Sequence, residues 1–400
     1  MPSPTKRVYD TVVVGGGPAG ATAAAVLARA GRDVLLLDKA GRIKPCGGAI
    51  PPRLIRDFDV PDHLIVARAR SARMISPADE RVDMPIEGGF VGMVDREDFD
   101  AWLRSRAEQC GASRATGTFV DFARDRNGVA TLTYEEKATG ERREVQARTV
   151  IGADGANSRI AQHAMPEMKR PPFVFAYHEI IKSPEIGATD FDPTRCEIFY
   201  QGRLSPDFYA WVFPHGDKTS VGVGSAQKGF SLRNATAATR EASGLSQAAT
   251  IRREGAPIPM RPLRRWDNRR DVVLAGDAAG VVAPASGEGI YYAMLSGEFV
   301  AEAVDGYLAT GKAKVLTTAR KRFMKAHGRV FWVLGLLQYF WYCNDKRREQ
   351  FVSLCRDPDV QRLTWQAYMN KELVRQDPMA HLRVFKKDLA HLFGMAVPHK

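Results

Sequence analysis

Cysteine is scarce and unpatterned in this chain: there are five (Cys46, Cys110, Cys196, Cys343, Cys355), an odd number, with no C-x-x-C pair among them. That excludes a disulfide-stapled scaffold and a thiolate zinc site, and it fits free thiols in a reducing compartment. The opening MPSPTKRVYD carries no apolar run, so neither a secretory leader nor a lipid anchor is expected, and the protein is expected in the cytoplasm. No low-complexity tract, internal repeat or nucleic-acid-binding module is present, which sets aside disordered, solenoid and nucleic-acid-binding classes. What remains is an ordinary globular composition, 44% hydrophobic and 26% charged. A length of 400 residues suits roughly two to three domain-sized units around a large core.

Charge is unevenly placed. Residues 312–400 hold 18 Lys/Arg against 7 Asp/Glu, so nearly all of the net charge of +12 sits there. Such a tail attracts anionic lipid or a diphosphate, or simply forms a solvated helical surface. Within it, residues 330–343 (VFWVLGLLQYFWYC) are nearly all apolar and too few to span a bilayer. Three readings stay open for them: a helix over the substrate cavity, an interfacial anchor, or plain core.

The strongest pattern lies near the start. A β-branched strand, residues 9–14, leads into Gly15-Gly16-Gly17-Pro18-Ala19-Gly20 and an Ala-rich helix ending near Gly31. Gly15 makes the tight turn, Gly17 lets backbone approach a pyrophosphate, and Gly20 lets the helix pack against the strand. The helix start, with Pro18 and Ala19, then presents N–H groups to the phosphates. A second strand, residues 34–37, ends in Asp38, an acceptor for ribose hydroxyls, followed by Lys39.

Two later segments repeat one plan. Val150-Ile151-Gly152-Ala153-Asp154-Gly155 and Val272-Val273-Leu274-Ala275-Gly276-Asp277 each end a strand on an Asp at a loop edge. The second continues to Gly287-Glu288-Gly289-Ile290, a loop that opens a helix and offers further N–H groups. With Val94-Asp95-Arg96-Glu97-Asp98-Phe99 before a helix, these segments resemble the FAD enzymes of the aromatic hydroxylase type. The resemblance implies an α/β fold: a Rossmann-like FAD-binding domain with an inserted, mostly antiparallel β-sheet substrate domain and a helical C-terminal region. It also implies that Asp277 holds the ribityl or pyrophosphate region and that Arg96 lies along the cofactor. The expected boundaries are 1–170 for the FAD-binding domain, with 70–100 contributing to the substrate side, 171–265 for the sheet, 266–311 for the returning FAD-binding part, and 312–400 for the basic helical tail.

In the middle, Tyr209, Trp211 and Phe213 alternate onto one face before a turn at His215-Gly216-Asp217-Lys218, which predicts a hairpin with an aromatic wall. Early in the chain, Lys44-Pro45-Cys46-Gly47-Gly48 places an open thiol beside a cation that favours its thiolate. These two motifs together resemble the geranylgeranyl reductases, over essentially the whole chain and most of all the chlorophyll and bacteriochlorophyll branch. That resemblance implies FAD as bound cofactor, NADPH as electron donor, and stepwise saturation of geranylgeranyl to phytyl. The substrate is then a geranylgeranylated pigment or geranylgeranyl diphosphate, with pigment-synthesis enzymes as possible partners and peripheral contact with an anionic, cytoplasmic membrane face. Cys46, Tyr209 and Trp211 are the expected catalytic residues. Gly15, Gly17, Pro18, Ala19, Gly20, Asp38, Lys39, Cys46, Gly47, Gly48, Arg96, Asp154, Gly276, Asp277, Gly287, Gly289 and Ile290 are expected to hold the cofactor. No metal site is expected. The rival is an FAD-dependent monooxygenase of an aromatic or isoprenoid substrate, which shares the cofactor fingerprints.

Overall fold

The computed structural model describes residues 7–39, 41, 43–187 and 189–371. Of the region expected to form the basic tail, residues from 372 onward lie outside the described ones. Contacts divide the chain into two compact units, each drawn from three segments. The first comprises the chain up to Lys44, Arg96–Phe173 and Pro257–Phe331; the second comprises Pro45–Asp95, Val174–Ala256 and the chain from Trp332 onward.

The first unit is built on parallel strands. Ser113–Arg124, Val34–Asp38, Val8–Val14, Arg142–Gly152 and Val272–Leu274 lie side by side in that order, while Ala130–Glu136 pairs antiparallel with the first and fourth of them. Val12, Val13, Leu36, Val150, Ile151 and Val272 are essentially inaccessible. Burial on both faces is why these strands read as unbroken apolar runs instead of alternating. The helix Pro18–Arg29 packs against the sheet and against the helix Ile290–Thr310. Its small residues permit this: a Cβ on Gly297 would stand 2.3 Å from the Ala19 carbonyl oxygen.

In the second unit a seven-stranded sheet runs in the order Thr250–Pro259, Phe173–Lys182, Lys218–Ser225, Ala210–His215, Arg195–Phe199, Ser71–Ile75, Arg81–Pro85. The Ala210–His215 and Lys218–Ser225 strands form the predicted hairpin, with His215 opposite Lys218 and the turn at Gly216-Asp217. Strand alternation sorts side chains to two faces. Ala210 and Val212 join Ile181, Phe199, Leu204, Val221 and Val223 in an apolar core. On the other face Tyr209, Trp211 and Phe213 stand ring against ring, with centroids 6.0 and 6.2 Å apart.

Two further helices, Asp345–Leu354 and Pro358–Asn370, belong to this unit. Arg348, with its side chain only 2% exposed, fastens the first of them by donating to Asp345 and to the carbonyls of Pro206 and Tyr342. A buried guanidinium needs such a set of acceptors, because one left unpaired costs several kcal/mol, on the order of 3–5.

Candidate active site

Gly152 pairs with both Val14 and Leu274, so the strands Val8–Val14, Arg142–Gly152 and Val272–Leu274 end at one level. The three glycine-and-aspartate segments therefore meet on a single sheet edge, tied by Ala153 N to Val14 O (2.8 Å) and Ala275 N to Gly152 O (2.9 Å). Ligands of parallel α/β sheets lie at this carboxyl end. The glycines differ in what they allow. A Cβ on Gly15, which has φ of +106°, would strike the Ala153 carbonyl oxygen at 2.3 Å, and one on Gly20 would strike the Gly15 oxygen at 1.9 Å. On Gly17 it would meet nothing within 4 Å. The helix starts there with Pro18 in its first turn and no side-chain cap, leaving its first N–H groups for a ligand. This open, glycine-walled helix start beside an acid fits a dinucleotide.

Asp38 accepts from Gly16 N at 2.8 Å, so the acid is fixed beside the glycine loop, and Lys39 next to it is exposed. Arg104, which the motif reading did not single out, donates to Gly16 O at 3.3 Å from the helix Arg96–Gln109. Arg96, expected along the cofactor, holds Asp100 in a buried bidentate pair at 2.9 and 2.8 Å. Asp154 has both carboxylate oxygens occupied locally, by Ser158 Oγ (2.6 Å) and the backbone N–H groups of Arg159 (2.6 Å) and Ile160 (3.1 Å). Burial pushes its carboxyl above the usual range against the pull of those bonds. Asp154 thus shapes the loop and caps the helix Arg159–Ala164. Asp277 is paired with Lys44, so the cation expected to serve Cys46 is drawn to the aspartate. Gly276, at φ of +62°, lies close to Ala19; Gly287 is also at positive φ; Gly289 caps the helix that starts at the buried Ile290.

The second unit gathers a different constellation. The Cys46-Gly47-Gly48 loop lies against the aromatic strand: a Cβ on Gly47 would stand 3.0 Å from the Phe213 ring, and one on Gly48 would stand 2.4 Å from His215 Cε1. Cys46 Sγ accepts from Gly48 N at 3.4 Å. Below the loop, His215 Nε2 is 3.0 Å from Gly47 O and its Nδ1 is 3.2 Å from Asp95 Oδ1, while Lys218 Nζ donates to Asp95 Oδ2 at 2.9 Å. Burial works to raise the Asp95 carboxyl, yet the bonds from His215 and Lys218 outweigh it and hold it at about 2. Tyr209 is stacked on Phe208 (centroids 4.2 Å), and burial pushes its hydroxyl well above the usual range, with Tyr342 and Cys46 adding to the shift.

Trp211 is fixed at its polar edge. Its Nε1–H donates to Ser220 Oγ (3.1 Å), Ser220 lies 3.0 Å from His178 Nδ1, and His178 Nε2 lies 3.1 Å from Glu254. A neutral imidazole satisfies the whole chain, with Ser220 O–H donating to Nδ1 and Nε2–H donating to the carboxylate. Neither His178 nor His215 stands in a recognisable sequence motif. Alternation along the strands Phe173–Lys182 and Lys218–Ser225 would have put His178 and Ser220 inward, but not together. Two of the other described cysteines are buried, and burial pushes the Cys196 and Cys355 thiols up to about 12. Among the described residues no group of three His, Cys, Asp or Glu could hold a metal ion.

The parallel sheet, the glycine-walled helix start and the acids at its edge define an FAD-binding protein, and the FAD binding domain family model matches residues 8–322. The fold is shared with a solved geranylgeranyl bacteriochlorophyll reductase-like protein of Thermoplasma acidophilum, at TM-score 0.80 and 21% identity over 95% of this chain and 99% of that one. Among curated proteins, geranylgeranyl diphosphate reductase of Rhodobacter capsulatus is 58% identical over 98% of this chain and 99% of its own. The enzyme of that name from Synechocystis is 37% identical over 96% and 98%. The chain belongs to the geranylgeranyl diphosphate reductase family.

Proposed function

We propose that this protein is a flavin-dependent reductase that saturates the isolated double bonds of a geranylgeranyl chain, giving phytyl, on the route to chlorophyll or bacteriochlorophyll. Family membership at 58% identity over nearly the full chain carries this reading, and the juxtaposition of the Cys46 loop with the aromatic strand supports it. The residues that would hold FAD are Gly15, Gly17, Pro18, Ala19 and Gly20 for the pyrophosphate, Asp38 for the adenosine ribose, and Gly276, Asp277, Gly287, Gly289 and Ile290 for the remainder, with Arg96, Asp154 and Lys39 around them. FAD held there, with NADPH as its reductant, would supply hydride to one carbon of the alkene. An unconjugated trisubstituted alkene has no carbonyl to take up negative charge, so the carbon that receives hydride must gain cationic character as a proton arrives at its neighbour. The wall of Tyr209, Trp211 and Phe213 keeps water from that carbon and stabilises its charge through the ring faces. Cys46, with Gly47 and Gly48, is assigned to the reacting bond, as the group that orients the cofactor or relays the proton.

The decisive experiment incubates pure FAD-loaded enzyme and a chemical reductant, under strict anaerobiosis, with geranylgeranyl diphosphate or with the pigment ester. Mass spectrometry then reads the side chain. A gain of two hydrogens per saturated bond is the expected result. Turnover that requires O2 and inserts oxygen would establish the monooxygenase alternative instead.

The pigment ester is a lipid-resident substrate, and the protein offers a surface for reaching it. No helix among the described residues is long and apolar enough to cross a membrane. The segment 330–343 is two-faced: Trp341 and Tyr342 are buried, whereas Trp332 (69%) and Tyr339 (82%) are exposed along with Leu336 and Leu337. Exposed aromatic and leucine side chains at helical spacing, followed by Lys346 and Arg347, suit shallow insertion among anionic headgroups at the cytoplasmic membrane face. Sedimentation with anionic liposomes that weakens with salt and with Trp332→Ala/Tyr339→Ala is expected, and indifference to lipid charge would count against it.

A further inference from the structure

The two buried histidines of the second unit face different partners, and the difference determines what each can do. His178 lies between a hydroxyl, which can donate, and a carboxylate, so a neutral ring suffices. His215 lies between two acceptors. The Gly47 carbonyl oxygen at 3.0 Å has no proton to give, and Asp95 at 3.2 Å is a carboxylate that also receives Lys218. Only the doubly protonated ring donates to both. A ring with one proton would bind the loop carbonyl and turn a bare nitrogen lone pair toward a carboxylate, or bind the carboxylate and release the loop.

We propose that His215, held as an imidazolium between Asp95 and the Gly47 carbonyl, is the positioning residue that clamps the Cys46-Gly47-Gly48 loop, and that loss of one ring proton releases the loop. The inference rests on the reading that Cys46 serves the reacting bond. Several independent contacts favour it. The ring fills the space over Gly48, where a Cβ would stand 2.4 Å from His215 Cε1, so the loop backbone is fitted to the imidazole. Gly48 O in turn accepts from Val94 N (2.9 Å), the residue preceding Asp95, and Gly48 N donates to Cys46 Sγ. Backbone and ring together therefore tie both sides of the cysteine loop to the Val94-Asp95 segment. His215 is 5% exposed, so water does not replace a lost bond at little cost. The charged groups around it are Asp95 and, through that carboxylate, Lys218, with Asp217 and Arg252 acting on Lys218 in turn. A ring with one proton keeps it on the carboxylate, a stronger acceptor than a neutral carbonyl, so the loop is the partner set free.

The test uses the full-length, FAD-loaded protein and reads Cys46 directly. Alkylation by iodoacetamide is followed on the Cys46 peptide by mass spectrometry, relative to the exposed Cys343 as internal reference, at about pH 6 and about pH 8. In the wild type the Cys46-to-Cys343 ratio is expected to rise several-fold between the two. In His215→Phe it is expected to be about 10-fold above the wild-type value at the lower pH and to stay flat. His215→Gln, which keeps a donor for Gly47 O but cannot titrate, guards against a misfolded Phe variant and is expected to give a low, flat ratio. Identical, flat ratios in wild type and both variants would overturn the proposal. Saturation turnover separates it from the reading of Cys46: accelerated alkylation in His215→Phe with unchanged turnover would uphold the clamp and remove Cys46 from the reaction.

Discussion

The glycines of the two units have different neighbours. In the first unit Gly15 and Gly20 are crowded by backbone, the Ala153 carbonyl in one case and the Gly15 carbonyl in the other. In the second unit Gly47 is crowded by the Phe213 ring, Gly48 by both His215 and the Val94 carbonyl, Gly222 by Trp211 and Gly224 by Phe208. The contact of Gly20 with the Gly15 carbonyl recurs at fixed spacing because turn and helix geometry set it. Side-chain contacts join residues at unrelated separations, from Gly222 and Trp211 within one hairpin to Gly47 and His215, 168 positions apart, and leave no spacing to recognise. The cofactor edge is therefore rigid and intolerant, while the cysteine loop owes its conformation to particular side chains.

Four experiments sharpen that contrast. The largest effect belongs to Gly20→Val, whose side chain cannot avoid the Gly15 carbonyl oxygen; purified protein is expected to be colourless and not to be reconstituted by FAD, as followed by flavin fluorescence. A variant that binds FAD normally would show that helix and strand can separate, contrary to the close packing described. Next, Cys46→Ser is expected to keep bound FAD but lose about 10²-fold in saturation rate, the lower range for a positioned proton-transfer group; wild-type turnover would remove Cys46 from the chemistry. Arg96→Ala leaves Asp100 as a buried, unpaired charge and is expected to cost about 3–5 kcal/mol in urea unfolding, with the double variant Arg96→Leu/Asp100→Leu much closer to wild type.

The smallest effect is a pH dependence. The Asp95 carboxyl is lowered from its ordinary 3.8 to about 2, so it stabilises the folded state above the unfolded value, and that contribution fades as pH falls from about 4 to about 2. The gap in stability between wild type and Asp95→Asn is expected to be about 2–3 kcal/mol at neutral pH, from a lowering of roughly two units at about 1.4 kcal/mol each. It should narrow only at the acid end. A gap that is constant down to about pH 2 would mean that the His215 and Lys218 bonds do not hold the carboxylate.

Much of the local architecture of both units was legible in the sequence. The order of the three fingerprints, the strand that ends in Asp38, the hairpin turning at Gly216-Asp217 and the shared face of Tyr209, Trp211 and Phe213 all follow from local periodicity and turn chemistry. The partners of charged side chains were not legible. Lys44 was expected beside the thiol and is paired with Asp277; Asp154 caps a helix; His215 looked like a turn residue and holds the cysteine loop. The apolar tract 330–343 shows the same division, since composition gave its length but burial gave it one packed and one exposed face.

The sequence by itself determined that a strand, a glycine turn and a helix would form a dinucleotide site, because within that one segment the Gly15 carbonyl leaves no room for a side chain at Gly20 while Gly17 leaves the helix start open. Only the tertiary structure decided which cation meets which carboxylate and what fixes Cys46. Those pairings depend on strand order and register, which bring together residues that no local rule connects.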